Sequence, residues 1–196
     1  MIIQHRINSI EELKSTNKDK GIEVDIRWSD KFNKLIITHD LPNRQYLFLE
    51  DYLNFYDHKL LILNIKSSLC EEPCIDLMEK FGIKNYCFLD SQIPDIVRHK
   101  KNGRNNFIIR YSNFEYPSQS LLQDSKYVWV DTFGSPYFDY SYVTNLIYAG
   151  YELIFVSPEL HKSDKIDALV TSVKALGFSS MIHVCTKIST KWDFLC

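Results

Sequence analysis

Eight short runs of β-branched, aromatic and leucine residues recur along this chain, separated by helix-compatible stretches, and this alternation limits its possible folds most sharply. The runs are Ile2–Arg6, Ile22–Arg27, Leu60–Lys66, Tyr86–Asp90, Phe107–Tyr111, Tyr127–Thr132, Glu152–Ser157 and Met181–Thr186. Most are apolar nearly throughout, the pattern of parallel strands covered by helices. Between them, Glu71–Phe81, Tyr140–Ala149 and Lys165–Leu176 are amphipathic, and each is followed by a glycine, as helix C-termini often are. The alternation predicts an α/β architecture, and eight strands favour a closed, compact (β/α)8 barrel over an open doubly wound sheet. A further run, Lys34–His39, has no helix before it, and the turn-like residues 28–33 make it the returning arm of a β-hairpin after the second strand. Such barrels typically need about 250 residues. This chain has 196, so its loops and helices must be short, and one domain is expected over 1–196.

Composition narrows the partners. The formal net charge is -2 and the densest basic run, Arg98–Arg104, reads as a solvated helix end, so no nucleic-acid partner is expected. No apolar run approaches the roughly 18 residues of a transmembrane segment. The chain is polar by Gln4, which argues against a secretory signal. Cys70, Cys74, Cys87, Cys185 and Cys196 are odd in number and irregularly spaced, with no matching Cys/His pair for structural zinc. Reduced thiols in a cytoplasmic protein are the expectation.

Polar residues gather where the predicted strands end. In residues 21–27, period-2 alternation sends Ile22, Val24 and Ile26 to one face and Glu23, Asp25 and Arg27 to the other. The same alternation puts Asn64 and Lys66 together on the third run. Later runs end in or near Asp90, Arg110, Asp131, Glu159 and Lys187. A barrel builds its active site at the C-terminal ends of its strands. Charges turned inward are costly unless paired or metal-bound, so this pattern predicts a polar, anion-handling pocket, with Asp131 and Lys187 as further candidates for its lining.

His5-Arg6 ending the first run, Glu23-Val24-Asp25 in the second and His39-Asp40 ending the hairpin arm resemble the signature of glycerophosphodiester phosphodiesterases. That family's third strand usually carries Glu-x-Lys, and Asn64-Ile65-Lys66 stands at the equivalent place. The resemblance implies a TIM barrel and a divalent cation, Mg²⁺ or Ca²⁺, held by Glu23 and Asp25. It makes His5 and His39 the general acid and base, and gives Arg6 and Lys66 to the phosphate of a small-molecule phosphodiester substrate. Arg110 is a further phosphate-binding candidate, and Asn64 takes the place of a metal-binding Glu. The chemistry is coherent: a hard cation on oxygen ligands neutralises the phosphodiester, and imidazoles titrating near neutrality move its protons.

Asn64 is also a departure from the family pattern, because a neutral amide oxygen binds such cations more weakly than a carboxylate. The segment from His39 to Leu60 is short as well, with room for little beyond one helix. Both features admit a second reading, a barrel that binds phosphorylated ligands or a partner protein without turning over. A third, a lyase using Lys66 or Lys187 as a Schiff-base amine, rests on lysines at strand ends.

Overall fold

The computed structural model describes residues 1–40 and 46–195; Cys196 lies outside them. In chain order the elements begin with β1 (Ile2–Gln4), α1 (Ile10–Ser15), β2 (Gly21–Ser29), β3 (Lys34–Ile37), β4 (Leu47–Phe48) and α2 (Leu49–Leu53). Next come β5 (Leu60–Ile65), α3 (Glu71–Lys80), β6 (Tyr86–Leu89), α4 (Ile93–Lys101), β7 (Ile109–Ser112) and α5 (Gln119–Leu122). The chain continues with β8 (Tyr127–Asp131), α6 (Tyr140–Tyr148), β9 (Glu152–Val156), a 3-10 turn at Pro158–His161, α7 (Ile166–Ala175) and β10 (Ile182–Thr186). Strands and helices alternate as an α/β fold, and every predicted run overlaps a strand.

Several strands stop short of the predicted ends for a local reason. Arg6 and Asp90 adopt left-handed φ angles of 52° and 61°, which end β1 and β6 and turn the polar residues out of the ladder. The second strand runs the other way, past Arg27 into Trp28 and Ser29, which were expected to be turn. Trp28 pairs with Leu35 and Ser29 with Lys34 in the antiparallel hairpin, and the Trp28 amide donates to Ser67 Oγ at 2.8 Å. The glycines after α3 and α6 serve as expected. Gly82 and Gly150 hold φ of 67° and 92°, a conformation that a side chain disfavours.

The chain divides into two compact units, Met1–Gln4 with Phe107–Cys196, and His5–Asn106. In the second, the strand order is β4-β3-β2-β5-β6. β2 and β5 are parallel with Ile22 opposite Leu61 and Asp25 opposite Asn64, and β6 continues in parallel beside β5. Ile22, Val24, Ile26, Leu61 and Leu63 are wholly buried, as are Tyr52 of α2 and Met78 of α3. Each such aliphatic side chain contributes roughly 1.5–3 kcal/mol by leaving water. In the other unit, β1, β10, β9, β8 and β7 lie side by side, all parallel. Their core includes Val128, Val130, Phe155 and Val184, with Val143 of α6 and Leu169 of α7.

Among the described residues no helix is long and apolar enough to cross a membrane. Cys70, Cys74, Cys87 and Cys185 are buried free thiols.

Candidate active site

All the residues of the His-Arg, Glu-x-Asp, His-Asp and Asn-x-Lys motifs lie in the unit His5–Asn106. The β2–β5 register brings Glu23, Asp25 and Asn64 onto one face. Both carboxylates are completely buried. Glu23 Oε1 accepts from Asn64 Nδ2 at 2.7 Å, and Oε2 accepts from the backbone amide of Arg6, also at 2.7 Å. That amide is aimed by the left-handed turn at Arg6. His5 Nε2 stands 3.8 Å from the same Oε2. The Arg6 guanidinium Nε is 3.6 Å from Asp25 Oδ2. Lys66 Nζ lies 3.6 Å from Asp25 Oδ1 and 3.4 Å from Asp90 Oδ2.

Burial, and then the neighbouring Asp25 charge, push the Glu23 carboxyl up to about 7. The bonds from Asn64 and the Arg6 amide, and the charge of Lys66, pull in the opposite direction without winning. Glu23 therefore titrates near neutrality. A buried pair of carboxylates of which one readily takes a proton suits a site whose own occupant brings or removes charge.

Three residues outside the expected set shape this centre. Asn8 grips Asp25 twice, donating from Nδ2 to Oδ2 at 2.8 Å and accepting the Asp25 amide on Oδ1 at 3.0 Å. Tyr52, buried in α2, donates its hydroxyl to the Ile7 carbonyl at 2.9 Å and so pins the loop that carries His5, Arg6 and Asn8. Arg27 reaches from β2 to two strand ends, donating to the His39 carbonyl from Nη2 at 2.9 Å and to the Lys66 carbonyl from Nη1 at 2.8 Å. The inward alternation of Arg27 with Glu23 and Asp25 was the sequence signal for this clamp. Nothing local in the sequence marks Asn8 or Tyr52, whose partners are many residues away.

His39 sits at the end of the hairpin arm with its side chain 38% exposed, and its Nδ1 lies 2.8 Å from Asp40 Oδ1. That hydrogen bond and the charge of the ring hold the exposed Asp40 carboxyl below the usual carboxylate range. The bond engages Nδ1 and leaves Nε2 as the ring nitrogen turned away from Asp40.

Two buried oxygens in this centre, Asp25 Oδ1 and Asn64 Oδ1, have no hydrogen-bond partner. They are hard donors of the kind Mg²⁺ or Ca²⁺ prefers. Among the described residues, however, no three His, Cys, Asp or Glu side chains converge as a metal-binding group. The donor set reaches three only with the amide of Asn64.

The remaining candidates lie in the other unit. Arg110 Nη1 is 2.6 Å from Asp131 Oδ2, and His161, which sequence reasoning missed, places Nε2 2.9 Å from Asp131 Oδ1. Asp131 is the last residue of β8 and His161 follows β9, whereas Arg110 is the second residue of β7. Lys187 is exposed, and its backbone amide donates to Glu159 Oε1 at 3.0 Å.

No protein-family model and no curated protein matches this sequence. Solved structures do match in fold. A glycerophosphoryl diester phosphodiesterase from Parabacteroides distasonis is similar with a TM-score of 0.65 and 14% identity, over 100% of this chain and 86% of its own. A glycerophosphodiester phosphodiesterase from Agrobacterium tumefaciens is similar with a TM-score of 0.64 and 12% identity, over 94% of this chain and 93% of its own. The likeness is one of architecture, and the chain has the fold of glycerophosphodiester phosphodiesterases.

Proposed function

We propose that residues 1–196 form a single closed barrel of eight parallel strands that hydrolyses a glycerol- or polyol-phosphodiester. The observation that carries this reading is the pair of wholly buried carboxylates, Glu23 and Asp25, set among the cationic side chains of Arg6 and Lys66 and the imidazole of His5. The contacts of Arg6 Nε and Lys66 Nζ to carboxylate oxygens are 3.4–3.6 Å long. Both cations therefore retain donors for the non-bridging oxygens of a phosphodiester. His5 and His39 divide the proton transfers. One takes the proton of the attacking hydroxyl, either water or a neighbouring hydroxyl of the substrate. The other protonates the departing alkoxide as the new P–O bond replaces the old one. Attack by the substrate's own hydroxyl gives a cyclic phosphate. Arg27 keeps the strand ends bearing His39 and Lys66 at a fixed separation.

Glu23, Asp25 and Asn64 would hold Mg²⁺ or Ca²⁺, which neutralises the phosphodiester and polarises its P–O bonds. The two orphaned oxygens, Asp25 Oδ1 and Asn64 Oδ1, support that assignment. Buried free thiols are in keeping with a cytoplasmic location.

The test is hydrolysis of bis(p-nitrophenyl) phosphate and glycerophosphocholine with Mg²⁺, Ca²⁺ or EDTA, for wild type beside His39→Ala. Turnover that EDTA abolishes and that falls about 10²–10⁴-fold in the variant is expected. Turnover unchanged by both would overturn the assignment. Asn64 favours a second reading, binding of phosphorylated ligands without turnover, and an inactive wild type that still binds them would select it.

A further inference from the structure

Lys66, which contacts Asp25, also lines a pocket of about 240 Å³ in the same unit. Its polar lining includes Glu71, Asp90 and Asp95, with Ser68 and Gln92 alongside. Three carboxylates and one lysine thus line it. Lys66 is engaged by Asp25 and Asp90, and Asp95 Oδ1 has Arg98 Nη2 at 3.0 Å. Glu71 differs. It is the first residue of α3, only 1% exposed, and its buried Oε2 has no hydrogen-bond partner. The positive end of α3 favours a carboxylate at that place, but the helix supplies Oε2 with no donor. A carboxyl oxygen removed from water and left without a donor is costly, and an occupant that brings an N–H and a positive charge would relieve that cost.

The geometry narrows what that is. No three acidic or metal-binding side chains among the described residues converge tightly enough for a metal ion. Carboxylates spread around a cavity suit a larger cation with several donors. A quaternary ammonium has no N–H to offer Glu71 Oε2, and such groups are held by aromatic cages. The lining here, Ile65 and Ser67 included, contains no aromatic side chain. A primary ammonium meets both conditions.

We propose that this pocket receives the primary ammonium of an aminoalkyl ester, with Glu71 as its principal acceptor, so that the chain prefers an aminoethyl phosphodiester to a choline or a neutral alkyl one. The inference rests on the phosphodiesterase reading, because Lys66 is shared by the two sites and fixes the ammonium next to the phosphate. The aminoethyl arm would enter past Ser68 and Gln92, whose side chains are joined by a 3.0 Å hydrogen bond, and would end on Glu71.

The experiment compares kcat/KM for glycerophosphoethanolamine, glycerophosphocholine and glycerophosphopropanol, whose propyl arm is uncharged, in wild type and in Glu71→Gln. Bis(p-nitrophenyl) phosphate is assayed in parallel. Wild type should favour the ethanolamine ester by about tenfold or more over both others, the range of a charge-assisted hydrogen bond. In Glu71→Gln that ratio should fall toward one; being taken within one protein, it is independent of any general loss of activity. Equal rates for the three esters in wild type would overturn the inference and leave the phosphodiesterase reading standing. If no phosphodiester is cleaved, that reading fails by itself, and the pocket is read by calorimetry with phosphoethanolamine against propyl phosphate. Binding about tenfold tighter for the ammonium compound supports the pocket; equal affinity overturns it.

Discussion

Glu23 holds a proton that most glutamates release. Its carboxyl is raised from an ordinary 4.5 to about 7 by burial and by Asp25. Between those values the folded protein binds more protons than the unfolded chain, so stability is greatest below about pH 4.5 as far as this group is concerned and declines until about pH 7. The loss attributable to Glu23 is on the order of 3 kcal/mol. Urea denaturation in metal-free buffer at pH 5 and pH 8 should show that decline in wild type and lose most of it in Glu23→Gln. The same change of midpoint in wild type and in Glu23→Gln would mean the buried pair does not share its charge in this way. The presence of Glu23 and Asp25 on one face was legible from alternation alone, because a strand leaves each side chain only two directions. The acidity of Glu23 was not legible. It depends on complete burial and on Asn64, Arg6 and Lys66, which reach the carboxylates only through strand register and a left-handed turn.

At the scale of elements, the hairpin arm and β5 are tied by a side chain rather than by a ladder. Arg27 donates to the carbonyls of both His39 and Lys66, so it sets where the proposed acid–base group stands relative to the proposed phosphate-binding one. Arg27→Lys keeps the charge but cannot span both carbonyls with a rigid fork. It should lower kcat about tenfold to a hundredfold, with KM changed about twofold at most, as expected for lost orientation. A variant of full activity would show that the arm is positioned without it. The strands were readable because parallel strands buried on both faces leave near-continuous apolar runs. The ends of β2 and β7 were not, since Trp28 and Ser29 join a strand only by virtue of their partners Leu35 and Lys34. The short β4, α2 and α5 carry too few residues for a periodic pattern to register.

Over the whole molecule, the most distant pairing joins β1 to β10, with Ile3 beside Cys185. Both residues are fully buried, so this parallel pairing adds to the core as well as to the hydrogen-bond ladder. Contacts between residues so far apart in sequence are expensive in chain entropy and form late. Ile3→Ala should therefore accelerate unfolding by at least about tenfold while changing the folding rate by less than about twofold, the behaviour of a site unformed in the transition state. Stopped-flow folding and unfolding limbs measure both, and a slowed folding limb would place β1 in the nucleus. The same pairing bears on how the chain is made. On a ribosome β1 is made well ahead of β10, the neighbour it pairs with. At about 5–20 residues per second, Ile2–Gln4 must wait on the order of ten seconds or more for that partner, its two isoleucines uncovered on that side in the meantime.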